Sequence, residues 1–438
     1  MSRDSLDVYV RGQAVGTLTE EAGQYVFTYL PDVADENQVS LLMPVRAQSY
    51  VWSRLHPFFQ MNLPEGVKKE IMIRHLGPHA DVSDFGLLAL TGANTIGRVQ
   101  VVPRGTTPEA ATRADMAELL ASADSRGNLL RLLETGVAEG VSGVMPKALM
   151  QSGGKATTWT EDFILKTGFD LPGLAVNEYL CLEVARHTGL EVPGARLSDD
   201  GHVLAVQRFD RTADGQKLAV EDYCALKGLD AVNKYKGSLE DLASLTATYI
   251  PRHALKENAR RLFTLLLLNY AVHNQDAHLK NFALLYTNAD DVRLAPVYDI
   301  LSGTVYPKYE TAIPALTLKG KRVWASGALL LTYGGARLGL SKTDMGEAIE
   351  RVTVAIHRVA PTVSELADKY PAFREPAKRM LDAWARGLEN IKPDAKPGKT
   401  RPAPLRQQAG MSEASPRVAR RGANPYVNPD GAFSHKSR

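Results

Sequence analysis

The chain has 438 residues, of which 44% are apolar, 7% aromatic and 23% charged, with a formal net charge of +3. That profile belongs to an ordinary globular protein long enough for two or three domains, and it excludes collagen-like, wholly disordered and membrane-embedded chains. Cys181 and Cys224 are far apart and outside any C-x-x-C pair, and the ten histidines are scattered with no H-x-H pattern, so oxygen-ligated magnesium, rather than zinc, is the expected metal chemistry.

The first hundred residues alternate short runs with turns: LDVYV, the turn RGQAVG, GTLTE and YVFTYL, with apolar residues at period two. This predicts a β-rich module over 1–105. Within it LHPFFQMNLPEGVKKEIMIRHLG turns to helical spacing after Pro64 and Gly66, and FGLLALTGANTIGRVQVVPRG is expected to return to strands. A helical connector, ADMAELLASADSRGNLLRLLETGVAEG, fills 106–140. Residues 141–225 then read as strand, turn, strand, helix, strand, strand. From 226 to 390 helices dominate: NARRLFTLLLLNYAV, LSKTDMGEAIERVTVAIHRVA and AFREPAKRMLDAWARGLENI. The apolar run Leu262–Val272 is too short to span a bilayer and predicts a core helix. From Asn390 onward ten Lys or Arg face three Asp or Glu, which places a charge of +7 on the tail and −4 on the rest. Residues 391–438, rich in Pro, Gly, Ala and Arg, are expected to be a basic disordered tail. The start, MSRDSLDVYVRGQAVG, shows no secretory pattern, so a cytoplasmic protein with no membrane partner is expected.

The most informative stretch is HNQDAHLKNF, residues 273–282, which follows the core helix directly. Asp276 and Asn281 are five residues apart, the spacing of the aligning carboxylate and the metal-binding amide in a kinase catalytic loop. Lys280 is then expected beside the transferred phosphoryl group, and His278 as a brace for the loop. The same residues would also suit a helix-terminal turn whose polar groups only cap carbonyls. RLAPVYDIL supplies Asp299 after an apolar run, where a second metal-binding carboxylate belongs, although strand-end turns also favour Asp. FILKTG puts Lys166 on a strand, as V-A-I-K does in kinases, with Glu178 as its expected helix partner and Glu183 as the competitor. Gly140, Ser142 and Gly143 offer backbone donors for phosphates without matching a G-x-G-x-x-G or Walker sequence. The backbone around Gln207 and Phe209, in AVQRFDR, falls where a two-lobed kinase hinges and is expected at the adenine edge.

Taken together, SGVMPK, FILK, NEYLCLEVARHTGLEVP, VQRFDR, NQDAHLKNF and LAPVYDILS resemble the HipA family of bacterial serine/threonine kinase toxins, and HPFFQMNLPEG resembles that family's N-terminal subdomain. The resemblance covers roughly residues 5–390. It implies an α+β, two-lobed protein-kinase-like fold with an N-terminal β-rich subdomain, a nucleotide-binding part over 141–225 and a mainly helical C-terminal lobe. It further implies an enzyme using ATP and Mg2+ that phosphorylates a protein serine or threonine, commonly on an aminoacyl-tRNA synthetase. Such enzymes are neutralised by a HipB-like helix-turn-helix antitoxin that also binds operator DNA. Carried over by motif, Asp276 is the catalytic base, Asn281 and Asp299 are the metal ligands, and Lys166 is the ATP lysine. The phosphate loop is Ser142, Gly143, Val144 and on to Lys147. Met145 stands where the family usually has a polar residue, and Gly140 where some members carry a phosphorylated serine, so switching by autophosphorylation is not expected unless Ser142 substitutes. The alternative is a small-molecule or lipid phosphotransferase, because D-x-H-x-x-N is also similar to phosphoinositide kinases.

Overall fold

The computed structural model describes residues 5–65, 69, 72–73, 77, 80–108, 115–135 and 155–394. Five antiparallel strands open the chain: β1 (Ser5–Val10), β2 (Gln13–Glu21), β3 (Gln24–Tyr29), β4 (Tyr50–Trp52) and β5 (Val99–Pro103), in the order β4-β3-β2-β1-β5. Two-residue turns join β1 to β2 and β2 to β3, and alternation along the strands sends Leu6, Val8, Val10, Leu18, Phe27 and Tyr29 into one core. Short helices cover this sheet, among them α1 (Pro57–Gln60) and α2 (Asp84–Thr91). The second corrects an expectation, since FGLLALT is helical and only Val99–Pro103 is a strand. Ser83 caps the helix by accepting from the Gly86 amide, and Leu and Ala are good helix formers, so a local start signal outweighs the short apolar run.

The described residues of the connector region form α3 (Met116–Ala121), capped by Asp115, and α4 (Ser125–Thr135). A four-stranded antiparallel sheet follows, built from β6 (Lys155–Trp159), β7 (Phe163–Gly168), β8 (Ala195–Leu197) and β9 (Val203–Gln207) in the order β6-β7-β9-β8. Against it lies α5 (Leu174–His187), whose inner residues are almost all buried. Three further strands, one just before the helical part and two within it, were not expected from the sequence. β10 (Ala219–Asp222), β11 (Ala283–Tyr286) and β12 (Arg293–Leu294) form a second small sheet, and α6 (Tyr223–Leu226) continues directly from β10. These strands are two to four residues long, too short to show a period.

The remaining helices are α7 (Leu239–Tyr249), α8 (Arg252–Ala271), α9 (Gly327–Leu338), α10 (Lys342–Lys369) and α11 (Arg374–Ile391). From Leu262 to Ala271 every residue of α8 is buried, as expected of a helix that is apolar all round. Its end is held closely by α11, because a Cβ on Gly387 would stand 2.0 Å from the Ala271 carbonyl oxygen. Any larger residue there would push α11 off the root of the 273–282 loop. No helix among the described residues is long and apolar enough to cross a membrane.

Candidate active site

Helix α8 stops at Val272, and His273 takes a positive φ of 55° that turns the chain out of the helix. The turn is then closed by amides. The Asn274 backbone N–H donates to the Asn269 carbonyl at 2.9 Å, Asn274 Nδ2 donates to Asn269 Oδ1 at 2.7 Å, and the Asp276 amide donates to Asn274 Oδ1 at 3.2 Å. Gln275 packs over Gly303, where a Cβ would meet its amide oxygen at 1.9 Å, so a larger residue there would require the Gln275 side chain to move. These contacts anchor the loop to a helix buried in the core. It is a rigid presentation of Asp276, not a frayed end.

Asn281 joins the loop to Asp299, which lies five residues beyond the end of β12. Its Nδ2 donates to the backbone carbonyls of Asp276 at 3.1 Å and Asp299 at 3.3 Å. With the nitrogen engaged by two carbonyls, the amide oxygen is the atom left to meet a cation. Asp299 has a φ of 50°, a conformation that Asp tolerates better than most residues but still at some cost, and such local strain gathers at functional positions.

The Asp299 carboxylate accepts from Lys166 Nζ at 2.8 Å, and the same ammonium is paired with Glu178. All three side chains are almost wholly buried. Strand β7 supplies the lysine and α5 the glutamate, and α5 is pinned to the Asp299 segment through Asn177, which exchanges two hydrogen bonds with the Ser302 backbone at 2.8 and 3.0 Å. Glu183, one and a half turns further on, pairs with Arg186 at the protein surface. The structure therefore brings Lys166, Glu178, Asp276, Asn281 and Asp299 together.

Other expected site residues fall elsewhere or take other parts. Lys280 is buried, donates to the Met61 carbonyl at 3.0 Å and is ion-paired with Glu65, which corrects the expectation that it stands beside a phosphoryl group. A buried carboxylate from the N-terminal subdomain holds it. His278 is buried edge-on to Tyr235, and neither ring nitrogen has a hydrogen-bond partner among the described residues. Burial first, and Lys234 next, hold its pKa well below the ordinary histidine value, so the ring is neutral at pH 7. Gln207 is exposed at the end of β9, whereas the Phe209 ring is buried against Tyr298 with centroids 5.6 Å apart. Any nucleotide contact at Phe209 therefore falls to its backbone. Ser142, Gly143, Val144 and Lys147 lie outside the described residues.

Two contributors were not visible in the sequence reading. Tyr235 Oη donates to Asp276 Oδ1 at 2.8 Å, and Glu65 bridges Lys234 and Lys280. Tyr235 lies 41 residues before its partner and Glu65 lies 215 before Lys280, so no local spacing could have revealed either.

The geometry is matched by two family models. Residues 6–102 fit the HipA N-terminal domain and residues 140–360 fit the HipA-like C-terminal domain, which alone spans half of the chain. The chain belongs to the HipA family. Among its relatives are two proteins of Sinorhizobium fredii. "Putative kinase Y4mE" is 28% identical, over 82% of this chain and 93% of the relative. "Putative kinase Y4dM" is 26% identical, over 88% and 95%. Among solved structures, the Shewanella oneidensis HipA of a toxin–antitoxin complex with HipB and operator DNA superposes with a TM-score of 0.65 and 19% identity, covering 88% of this chain and 98% of that one. At that identity the superposition establishes the HipA fold. The two-lobed α+β kinase-like architecture, with a β-rich N-terminal region and a helical C-terminal part, is thus that of this HipA-family chain.

No group of three or more His, Cys, Asp and Glu side chains among the described residues is placed to grip a metal unaided. The site instead offers one carboxylate, Asp299, and one amide oxygen, Asn281. That donor set suits magnesium, which keeps most of its shell for water and phosphate and takes only one or two protein oxygens.

Proposed function

We propose that this HipA-family chain is a protein kinase toxin that uses ATP and Mg2+ to phosphorylate a serine or threonine hydroxyl of a protein. The observation that carries the reading is the Asn281 side chain, which ties the backbone of Asp276 to that of Asp299. A carboxylate suited to a hydroxyl and an oxygen pair suited to a cation are thereby held on separate segments at one place, the arrangement phosphoryl transfer needs, since catalysis there is mostly positioning and charge stabilisation.

In this reading Asp276 aligns the substrate hydroxyl and accepts its proton, with Tyr235 donating to Oδ1 and so fixing the orientation of the carboxylate. Asn281 Oδ1 and Asp299 would hold the magnesium. When bound, Mg2+–ATP supplies the transferable phosphoryl group and neutralises charge developing on it. Lys166, held between Glu178 and Asp299, provides the ammonium that faces the nucleotide phosphates. The family membership and the relatives' names support a kinase. The HipB and operator DNA in the Shewanella complex support a HipB-like antitoxin as partner, through which operator DNA would be met indirectly. An aminoacyl-tRNA synthetase is the substrate class to assay first.

The test is transfer of the terminal phosphate of labelled ATP by the intact chain, with phosphoproteomics of cells producing wild type or Asp276→Asn. Labelled protein serine or threonine in the first and none in the second is expected. Label appearing only on small alcohols or lipids would replace this reading with a small-molecule phosphotransferase. Label that persists undiminished in Asp276→Asn would end both.

A further inference from the structure

The 273–282 loop is held by its own helix on one side and by the N-terminal subdomain on the other. Just after α1, the chain passes over the loop, and Glu65 inserts a buried carboxylate between Lys234 and Lys280. The Lys234 contact measures 2.7 Å, and the neighbouring Met61 carbonyl accepts from Lys280 Nζ at 3.0 Å. Burial alone would raise the pKa of Glu65, but Lys280 and then Lys234 outweigh it and keep the carboxylate ionised. Each lysine adjoins a residue of the site. Lys280 precedes Asn281 in the chain, and Lys234 precedes Tyr235, whose hydroxyl holds Asp276. The Lys234 carbonyl also accepts from the Leu279 amide at 3.1 Å, so the 232–236 segment is laced directly to the loop. Both segments that address Asp276 and Asn281 therefore meet at one carboxylate.

We infer that Glu65 is a positioning residue for phosphoryl transfer: the N-terminal subdomain sets the catalytic loop by holding Lys280 and Lys234 on a single buried carboxylate. The inference rests on reading 276–281 as the transfer loop, and it gives the β-rich subdomain a part in the chemistry itself. The base of this strap is independently fixed. Asn62 exchanges hydrogen bonds with the Ile96 backbone at 3.2 and 3.3 Å, and the next amide, that of Gly97, donates to Asp210 at 2.7 Å. A displacement of the subdomain is thus transmitted to the loop through the Glu65 ion pairs.

The experiment compares the intact wild-type chain with Glu65→Gln and with Glu65→Gln combined with Lys234→Met, which removes one carboxylate and one ammonium together should the single variant fail to fold. Arg54→Ala serves as the control, because it breaks the exposed Arg54–Asp230 contact between the same two parts of the molecule. Amide hydrogen exchange over 276–281 is expected to quicken about tenfold or more in the Glu65 variants, with 262–271 unchanged. Transfer should fall on the order of 10²-fold in kcat, with KM for ATP near wild type. Glu65→Asp should recover part of the loss. Exchange and kcat at wild-type level in both Glu65 variants would overturn the inference, and so would an equal effect from Arg54→Ala. Exchange is read without turnover, so a wild type that transfers no phosphate would remove the kinase reading while the exchange result still decides the part of Glu65.

Discussion

Two buried charge clusters flank the 273–282 loop, and their compositions are opposite. In one, a single ammonium, Lys166, lies between two carboxylates, Glu178 and Asp299. In the other, a single carboxylate, Glu65, lies between two ammoniums, Lys234 and Lys280. Burying a charge costs several kcal/mol unless it is paired, so both clusters must satisfy their ions internally or with a ligand. The first has carboxylate in excess and stands where a divalent cation would be welcome. The second joins two domains and faces no comparable demand. Similar physics thus serves two ends, one cluster poised for a ligand and the other a tie between subdomain and loop.

The comparison is broken most severely at its catalytic centre. Asp276→Asn keeps the shape of the side chain and removes its basicity, so transfer should fall by roughly 10²–10⁴-fold while the melting temperature stays near wild type. A kinetic assay run beside thermal denaturation checks both halves. Lys166→Met should also abolish transfer, but with a second cost. It strands Glu178 and Asp299 as neighbouring buried carboxylates, which should destabilise the protein by about 3–5 kcal/mol. A denaturant midpoint unchanged in that variant would show that the first cluster is not satisfied internally.

These contrasts also show what was legible from sequence. The Asp276–Asn281 spacing, Asp299 after its apolar run, and Lys166 on a strand were readable because each sits in a short motif whose local structure is fixed by its own residues. Kinase precedent called only for a helix glutamate, and the helix phase separates Glu178 from its competitor Glu183, since the two residues lie five apart and so face different sides of α5. Tyr235 and Glu65 were illegible because their partners are brought to them only by tertiary folding. Lys280 was misread for the same reason, since a lysine beside a motif looks catalytic until a distant carboxylate claims it. The helix at Asp84–Thr91 was expected as strand because a brief apolar run suits either element, and its start signal is the single residue Ser83.

A smaller effect separates the second cluster from its surroundings through pH. Asp222 caps α6 by accepting from the Ala225 amide at 2.7 Å, and its Oδ2 has no partner among the described residues. Burial first, opposed by Lys280, raises its pKa from 3.8 to about 6. The fold therefore holds this proton more tightly than the unfolded chain does. The contribution is fully present below about pH 4 and is lost as pH rises through about 6. Asp222→Asn retains a good cap and removes the ionisation, so it should stabilise the protein by about 1–3 kcal/mol at pH 7 and have little effect at pH 4. His273 and His278 act in the opposite direction. Burial lowers both, to about 4 for His273, so their contribution is present above pH 6.5 and is lost as acid is added. Stability curves for wild type and Asp222→Asn between pH 4 and 7 should therefore differ by a term that grows with pH.

The smallest effect belongs to the pair that lies outside both clusters. Glu183 and Arg186 face each other at 3.2 Å, three residues apart on α5, with side chains 25% and 35% accessible. An exposed pair of this kind contributes only about 0.2–1 kcal/mol, because water already solvates both ions and two long side chains must be ordered to meet. Arg186 also donates to the carbonyls of Val192 and Pro193, so the arginine should matter more than its partner. Glu183→Ala should therefore cost less than about 0.5 kcal/mol in chemical denaturation and leave phosphoryl transfer unchanged. Glu178→Ala, on the same helix, leaves Lys166 with Asp299 alone and should depress both stability and transfer. Equal effects from the two substitutions would mean that α5 contributes no specific carboxylate to the site and serves only as packing.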